Sequence, residues 1–254
     1  MEISERAAII PCAGQAKRMG KIDVPKSLVD IKGKPALLHL LETLNRSFDV
    51  FYIPINIKHK DHYLSCIPKN LLKKINLIDS KPGAGDGQAV LDALNAIDLK
   101  EIRNEIMICW GDTVLQKDSL INQLLNLKFS EPLLIPVYLT KDPYVAYLEN
   151  DLGIPERVAF KRRGEMLDEG KTDISLFLIK AKEIKKTLTQ LKNQNNKIKN
   201  NTISNIKTEL NFLDIVEYLY SINNPARTLE IDSYEDVYSF NTVEELGNIS
   251  NKLN

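Results

Sequence analysis

The chain has 254 residues, of which 43% are hydrophobic and 27% charged, and these proportions exclude a disordered or membrane-embedded protein. Its 34 basic and 34 acidic residues balance, so no overall field favours binding to nucleic acid or to an anionic membrane. This length can bury the core of one α/β domain, and we predict a single domain over residues 1–254.

Cysteine usage and the N-terminal residues indicate a compartment. Cys12, Cys66 and Cys109 lie in or beside apolar segments without metal-binding spacing, which is typical of buried thiols in a reducing environment. The polar opening MEISER does not fit a signal peptide, and no apolar run is long enough to span a membrane. The sequence therefore predicts a cytoplasmic protein with no membrane or nucleic-acid partner, and it leaves a homodimer open.

The first predicted strand leads into a loop that suits a phosphate chain. Residues 7–10 are a short apolar run typical of a strand buried on both faces. The small residues Cys12, Ala13 and Gly14 follow and let the backbone approach a ligand closely. Three cations come next: Lys17, Arg18 and Lys26. Backbone N–H groups and cations together suit a polyphosphate, but the GxGxxG and Walker A patterns are absent, so an ordinary turn stays open.

Strands and helices alternate along the rest of the chain. We predict helices over 35–45, 88–96, 119–127, 181–191 and 210–222, and strands over 50–57, 75–78, 105–110, 133–138, 174–179 and 228–231. Residues 192–207 lack apolar periodicity and are predicted to be an exposed loop. The alternation predicts an α/β fold with a doubly wound mixed, mainly parallel sheet.

Two further segments stand out before the end of the sheet. Gly83, Gly85 and Gly87 precede a predicted helix and allow a close backbone approach, although a flexible surface turn is by itself the better explanation of these glycines. Asp112 follows the strand over 105–110, and ligands of open α/β sheets bind beyond the carboxyl ends of such strands. A Gly-Asp turn without a functional role is the alternative there.

These segments resemble the motifs of the nucleotidyltransferase family that includes sugar-1-phosphate uridylyltransferases and choline-phosphate cytidylyltransferase. Residues 13–19, AGQAKRM, and Pro25-Lys26 resemble the signature A-G-x-G-[TS]-R-M…P-K, with Ala16 and Lys17 as the two departures. The runs GDGQA at 85–89 and GDTVL at 111–115 resemble the family's G-T-G-H-A and G-D-x-P-L motifs. Residues 232–242 resemble its closing pattern D-x-x-E-V-x-G-V-N.

The resemblance implies a Rossmann-like nucleotidyltransferase fold and a role for each matching residue. It implies catalytic roles for Arg18 and Lys26, and Mg²⁺ ligation by Asp112 and Asn241, with Asp232 as the alternative to Asn241. The region of about 140–225 would form the acceptor side of the cleft, with Lys161 and Asp173 in its motifs. The implied nucleotide-binding residues are Cys12, Ala13, Gly14, Gln15, Ala16, Lys17, Gly85, Asp86 and Gly87.

The implied reaction transfers a nucleoside monophosphate from CTP or UTP to a small phosphorylated acceptor and releases pyrophosphate, as in the synthesis of cell-surface polysaccharide precursors. The acceptor would be a sugar 1-phosphate or an amine-bearing phosphate such as phosphocholine or glutamine phosphate. Asp173 replaces an amide of the family motif and favours the amine, while sugar hydroxyls remain an equal alternative. A catalytically silent homologue stays open because of Ala16 and Lys17. A glycosyltransferase is disfavoured because no D-x-D pair follows Gly111.

Overall fold

The computed structural model describes residues 5–14, 24–201, 209–232, 237–240 and 242–252. Its strands in chain order are β1 (Ala7–Ile9), β2 (Asp30–Ile31), β3 (Lys34–Pro35), β4 (Val50–Ile55), β5 (Ile75–Asp79), β6 (Glu105–Cys109), β7 (Thr113–Leu115), β8 (Leu133–Lys141), β9 (Val145–Glu149), β10 (Pro155–Phe160), β11 (Glu169–Asp173), β12 (Leu176–Lys180), β13 (Arg227–Glu230) and β14 (Val237–Ser239). Its helices are α1 (Ala36–Leu44), α2 (Lys60–Cys66), α3 (Lys69–Leu72), α4 (Asp86–Ala96), α5 (Ser119–Leu125), α6 (Ala181–Asn201), α7 (Ile215–Ser221) and α8 (Val243–Lys252).

One large sheet organises these elements, in the order β10-β9-β11-β8-β12-β6-β1-β4-β5, with β13 paired to β8. The strands β6, β1, β4 and β5 are parallel to their neighbours in this group, and β13 is parallel to β8. Antiparallel pairs extend the sheet on the β12 side of β6. Two small ribbons, β14–β7 and β2–β3, lie outside the main sheet. The predicted doubly wound mixed, mainly parallel α/β sheet is confirmed.

The central strands are apolar throughout because helices cover both faces of the sheet. Along β1, Ala7 and Ile9 pack into one core while Ala8 packs into the other, since successive side chains point to opposite faces. The first core is closed by α4, α6 and α7, and the second by α1, α2, α3 and α5. Burying each isoleucine or leucine contributes about 1.5–3 kcal/mol, so these strands are among the strongest anchors of the fold.

A kinked strand divides the sheet into two halves. β11 and β12 run consecutively along β8, antiparallel to it, and only Ile174 and Ser175 separate them. On the opposite edge, β9 pairs with β11 whereas β6 pairs with β12. The residue at the break, Ser175, has a φ of 64°, a left-handed conformation that turns the chain from one neighbour to the next. The carboxyl end of β6 therefore faces this break, where the backbone N–H of Trp110 donates to the Ser175 carbonyl at 3.2 Å.

Some predicted boundaries are wrong. The loop expected over 192–207 is helical as far as Asn201, because buried Ile184 and Leu188 anchor the start of α6 and a helix propagates readily through lysine and glutamine. The hairpin β9–β10 lies in a region with no clear periodicity. The helix expected over 210–222 is a 3-10 turn, Phe212–Asp214, followed by the shorter α7. None of the helices in the described ranges is long and apolar enough to cross a membrane.

Candidate active site

The small-residue turn after β1 lies at the carboxyl edge of the parallel strands. The backbone N–H of Cys12 donates to the carbonyl of Pro54 on β4 at 2.8 Å, and the N–H of Gly111 donates to the Pro11 carbonyl at 3.3 Å. Cys12 and Ala13 are buried, whereas Gly14 is exposed. These bonds fix the start of the predicted phosphate loop between two strands. Its continuation, Gln15, Ala16, Lys17 and Arg18, lies outside the described residues.

Lys26 and Asp112, which are 86 residues apart in sequence, form an ion pair at this edge. Lys26 lies in a 3-10 turn, Lys26–Leu28, and Asp112 lies in the turn between β6 and β7. Their side chains are 18% and 23% exposed, so both can reach a ligand. The Lys26 ammonium also lies 5.1 Å from the ring centre of Phe240, within cation–π distance. The structure thus brings together a residue expected to be catalytic and one expected to hold metal.

Of the other two expected metal ligands, Asn241 and Asp232, the structure describes only Asp232. Asn241 lies outside the described residues, although its neighbour Phe240 packs beside Lys26. Asp232 is exposed and follows β13. No group of three or more His, Cys, Asp or Glu side chains in the described part of the chain could hold a metal. A single carboxylate such as that of Asp112 nevertheless fits Mg²⁺, which takes one or two carboxylates and completes its shell with phosphate oxygens and water.

The glycine-rich segment before α4 holds another part of the chain by backbone contacts. The Gly87 N–H donates to the Leu210 carbonyl at 2.8 Å, and the Leu210 N–H donates to the Ala84 carbonyl at 2.9 Å. The Asp86 carboxylate accepts from the N–H groups of Phe212, at 2.6 Å, and Gly87, at 2.8 Å. Burial raises the pKa of Asp86. The predicted contact of Gly85, Asp86 and Gly87 with a base and ribose stays a prediction beside this packing role.

The two residues expected to bind the acceptor have separate partners. Asp173 is partly buried at the end of β11, where it accepts from the Tyr147 hydroxyl at 3.0 Å and from the Ser175 N–H at 2.8 Å. Burial raises the pKa of Asp173 and holds the pKa of Tyr147 well above its ordinary value. Lys161 instead pairs with both carboxylate oxygens of Asp142, at 2.7 and 2.6 Å. Both predicted residues are partly buried.

An aromatic cluster beside the site is the main feature that the sequence does not indicate. The ring centres of Trp110, Phe177 and Phe212 are 5.3–5.6 Å apart, at tilted or edge-on angles. Trp110 immediately precedes the Gly111-Asp112 turn and is half-buried. The cluster therefore connects the Asp112 turn to the segment that Asp86 holds. In the sequence these residues resemble ordinary core residues, and only the three-dimensional structure shows that their rings meet.

The fold and the site define a class of protein. A small-residue turn, a lysine and an aspartate meet at the carboxyl ends of parallel strands, which is where doubly wound sheets bind nucleotides. Residues 8–169 match the family of MobA-like NTP transferase domains, and the chain belongs to this family. The predicted enzyme class, a nucleotidyltransferase, is confirmed at the level of the family.

Curated relatives match parts of longer proteins. The bifunctional protein GlmU of Methanocaldococcus jannaschii is 30% identical over 125 residues, which are 48% of this chain and 28% of that protein. The bifunctional enzyme IspD/IspF of Pelagibacter ubique is 24% identical over 229 residues, which are 83% of this chain and 57% of that enzyme. The chain thus spans little more than half of one relative and less than a third of the other.

Solved structures extend the likeness of fold to nearly all of the chain. The crystal structure of HddC from Yersinia pseudotuberculosis has a TM-score of 0.71 and 18% sequence identity, and it covers 98% of this chain and 100% of its own. A second structure of that protein, complexed with GMP-PN, has a TM-score of 0.70. At this identity the likeness shows a shared fold.

Proposed function

We propose that this chain is a Mg²⁺-dependent nucleotidylyltransferase that uses CTP or UTP and a small phosphorylated acceptor, and that it releases pyrophosphate. The observation that carries the proposal is the Lys26–Asp112 pair beside the turn that follows β1. Membership of the NTP transferase family supports it, as does the complex of the similarly folded HddC with GMP-PN. The preference for a pyrimidine nucleotide rests on the sequence motifs alone.

The reaction joins an oxygen of the acceptor phosphate to the α-phosphorus of the triphosphate. The bond between the α-phosphorus and the oxygen that bridges it to the β-phosphorus breaks, and the electron pair of that bond leaves with pyrophosphate. An anionic phosphate needs no general base, so the protein has to orient two anions and offset their charge. The N–H groups of residues 13–17 and the cations of Lys17, Arg18 and Lys26 are suited to this task. Asp112 and Asn241 would hold Mg²⁺, which would supply further charge neutralisation on the triphosphate.

The Lys26–Asp112 ion pair keeps both charges at the site before a substrate binds. An ammonium without a partner at this partly buried position would face a desolvation penalty, which the carboxylate offsets. With a triphosphate bound, Lys26 would donate to its phosphate oxygens, and Asp112 would be the residue that holds the metal. The pair therefore positions two groups that act separately in the reaction.

We further infer that the acceptor carries an amine. Asp173 provides a carboxylate in the acceptor half of the sheet, and an ammonium makes stronger charge-assisted hydrogen bonds to it than a sugar hydroxyl does. The half-buried indole of Trp110 also provides an aromatic surface suited to a cation. A sugar 1-phosphate is the competing acceptor, because carboxylates also accept from hydroxyl groups. An amine-bearing acceptor makes CTP the more natural donor, by analogy with choline-phosphate cytidylyltransferase.

A substrate matrix tests the proposal directly. CTP, UTP, GTP, ATP and dTTP are each paired with phosphocholine, glucose 1-phosphate and N-acetylglucosamine 1-phosphate, with and without Mg²⁺, and pyrophosphate release is measured. We expect Mg²⁺-dependent release with a pyrimidine triphosphate. Release only with a purine triphosphate would overturn the choice of donor, and release only with a plain sugar phosphate would overturn the choice of acceptor. No release from any pair would support the silent homologue.

Two lysine variants test whether turnover depends on the lysine at the carboxyl end of the parallel strands. Lys26→Ala is expected to lower turnover on the order of 10²–10³-fold, because it removes a preorganised cation. The matched control is Lys180→Ala, since Lys180 also pairs with a carboxylate, that of Glu105 at 2.5 Å, but at the amino end of β6. The control is expected to keep its turnover. Equal turnover in Lys26→Ala and the wild type would remove Lys26 from the catalytic machinery.

A further inference from the structure

A buried tyrosine lies directly beneath the proposed active site. Tyr63, on α2, is 0% exposed, and its hydroxyl oxygen is 2.8 Å from the hydroxyl oxygen of Ser27. The same hydroxyl donates to the backbone carbonyl of Cys12 at 3.4 Å. Because Tyr63 donates to Cys12, the Ser27 hydroxyl is the donor toward Tyr63. We call these three residues the Tyr63 cluster.

Each member of the Tyr63 cluster adjoins a part of the site. Cys12 opens the turn that follows β1, and Ser27 is the residue after Lys26. The Cys12 sulfur also packs against Gly111, where an added Cβ atom would lie 2.3 Å from it, and Gly111 precedes Asp112. The phosphate loop, the lysine turn and the aspartate turn therefore meet at one buried point, and α2 reaches that point through Tyr63.

The chemistry of the cluster suits a fixed hydrogen-bond bridge. Burial raises the pKa of the Tyr63 hydroxyl far above its usual range, so the hydroxyl stays protonated and can donate at every working pH. Burial also raises the pKa of the Cys12 thiol to about 12, so Cys12 is neutral and unsuited to act as a nucleophile. Buried hydroxyl groups require partners, and each hydroxyl here is satisfied by another part of the site.

We propose that Tyr63 is a positioning residue for nucleotidyl transfer. This inference rests on the function proposed above. Its hydroxyl sets the distance between the Cys12–Gly14 turn and the turn that carries Lys26. That distance decides where the lysine ammonium meets the α-phosphate. A displacement of about 1 Å at a reacting group can lower a rate on the order of 10²-fold. Ground-state binding is spread over several backbone groups, so the effect falls on kcat rather than on KM.

The test removes the hydroxyl and keeps the ring. Tyr63→Phe is expected to lower kcat roughly tenfold to a hundredfold while KM for the triphosphate changes less than about threefold. Ser27→Ala removes the same bond from its other end and is expected to act in the same direction. The matched control is Tyr218→Phe, since the Tyr218 hydroxyl donates to Gln190 at 3.1 Å between α7 and α6. The control is expected to keep its kcat.

A double variant separates positioning from a general loss of stability. If Tyr63 acts through Lys26, Tyr63→Phe lowers kcat in the wild type but adds little further loss to Lys26→Ala. An equal loss in both backgrounds, or a lowered melting temperature with an unchanged kcat, would overturn the proposal. If the wild type itself is inactive, the proposed function is overturned. If the wild type is active and Tyr63→Phe has the same kcat, only the positioning role of Tyr63 is overturned.

Discussion

At the scale of single residues, Asp173 carries an electrostatic cost. Burial raises its pKa from the ordinary 3.8, and the nearby Asp86 charge acts in the same direction. An acid whose folded pKa is raised contributes stability below its unfolded pKa, and this contribution is lost as the pH rises through the folded value. As the pH rises above the ordinary pKa of 3.8, ionisation of Asp173 therefore costs the folded state more than the unfolded state, even though the carboxylate is the form suited to an amine.

We predict that Asp173→Asn raises the free energy of unfolding at pH 7. The amide can still accept from the Ser175 N–H and can donate to the Tyr147 hydroxyl, so the hydrogen bonds persist without the buried charge. The gain should shrink as the pH falls toward 3.8, because the folded-state carboxyl group of Asp173, whose pKa is raised, takes up its proton and loses the buried charge. Urea unfolding of both proteins at the two pH values measures it. A gain of the same size at both would show that charge is not the cause.

Ser175 carries a cost of a different kind, in its backbone. Its φ of 64° is left-handed, and such a conformation costs an L-residue about 1–2 kcal/mol. We expect Ser175→Val to lower the free energy of unfolding by about that amount or more, because a β-branched side chain is poorly accommodated there. Ser175→Gly is the control and should change stability little, since relief of strain and added freedom of the unfolded chain offset each other. Denaturant titration would contradict this if valine were tolerated.

At the scale of elements, the start of α4 depends on a close backbone approach. A Cβ atom on Gly85 would lie 2.2 Å from the Leu210 carbonyl oxygen, and the φ of Gly85 is 102°. We predict that Gly85→Ala weakens folding more than Gly153→Ala does, by roughly 1–3 kcal/mol of overpacking. Gly153 has a φ of 72° but no atom within 4 Å of an added Cβ, so it isolates the backbone strain. If Gly85→Ala and Gly153→Ala lowered the free energy of urea unfolding equally, the contact with Leu210 would not be the cause.

The sequence predicts some elements well for a physical reason. β1 and β6 are short continuous apolar runs and α1 has its apolar residues at helical spacing, so short-range information is enough. The β9–β10 hairpin has no such local sequence signal. Its two strands form because they pair with each other and because β9 pairs with β11. The outer turns of α6 are missed because their polar residues need no packing once the helix has begun. Tertiary contacts decide these cases.

The site shows the same division. Lys26 and Asp112 could be predicted because family motifs mark them, and the structure places them in contact. Tyr147 and Trp110 could not, because a buried aromatic residue beside a site has the same sequence pattern as one in the core. Their positions follow from strand register, which one sequence does not reveal. Lys161 matches a motif only by its place in the chain, and its partner is Asp142.

At the scale of the whole molecule, the break at Ser175 lies between the part of the sheet proposed to bind the triphosphate and the part proposed to bind the acceptor. β1 and β6 hold the residues proposed to bind the triphosphate, whereas β9 and β11 hold Tyr147 and Asp173. We predict that Tyr147→Phe raises KM for the acceptor roughly tenfold, the equivalent of one hydrogen bond to a charged group, and leaves KM for the triphosphate unchanged. Steady-state kinetics with each substrate varied in turn measures both constants. A rise in KM for the triphosphate alone would contradict the division.

The packing of Phe240 against Lys26 has a consequence for how the protein is made. β14 pairs with β7, the strand that follows Asp112, and so carries Phe240 to the site. During translation, β1, Lys26 and Asp112 are synthesised before Phe240. The lysine then lacks its aromatic neighbour until residue 240 has left the exit tunnel. We therefore expect a chain truncated before β14 to lack the proposed nucleotidyl transfer, although it still contains Lys26 and Asp112.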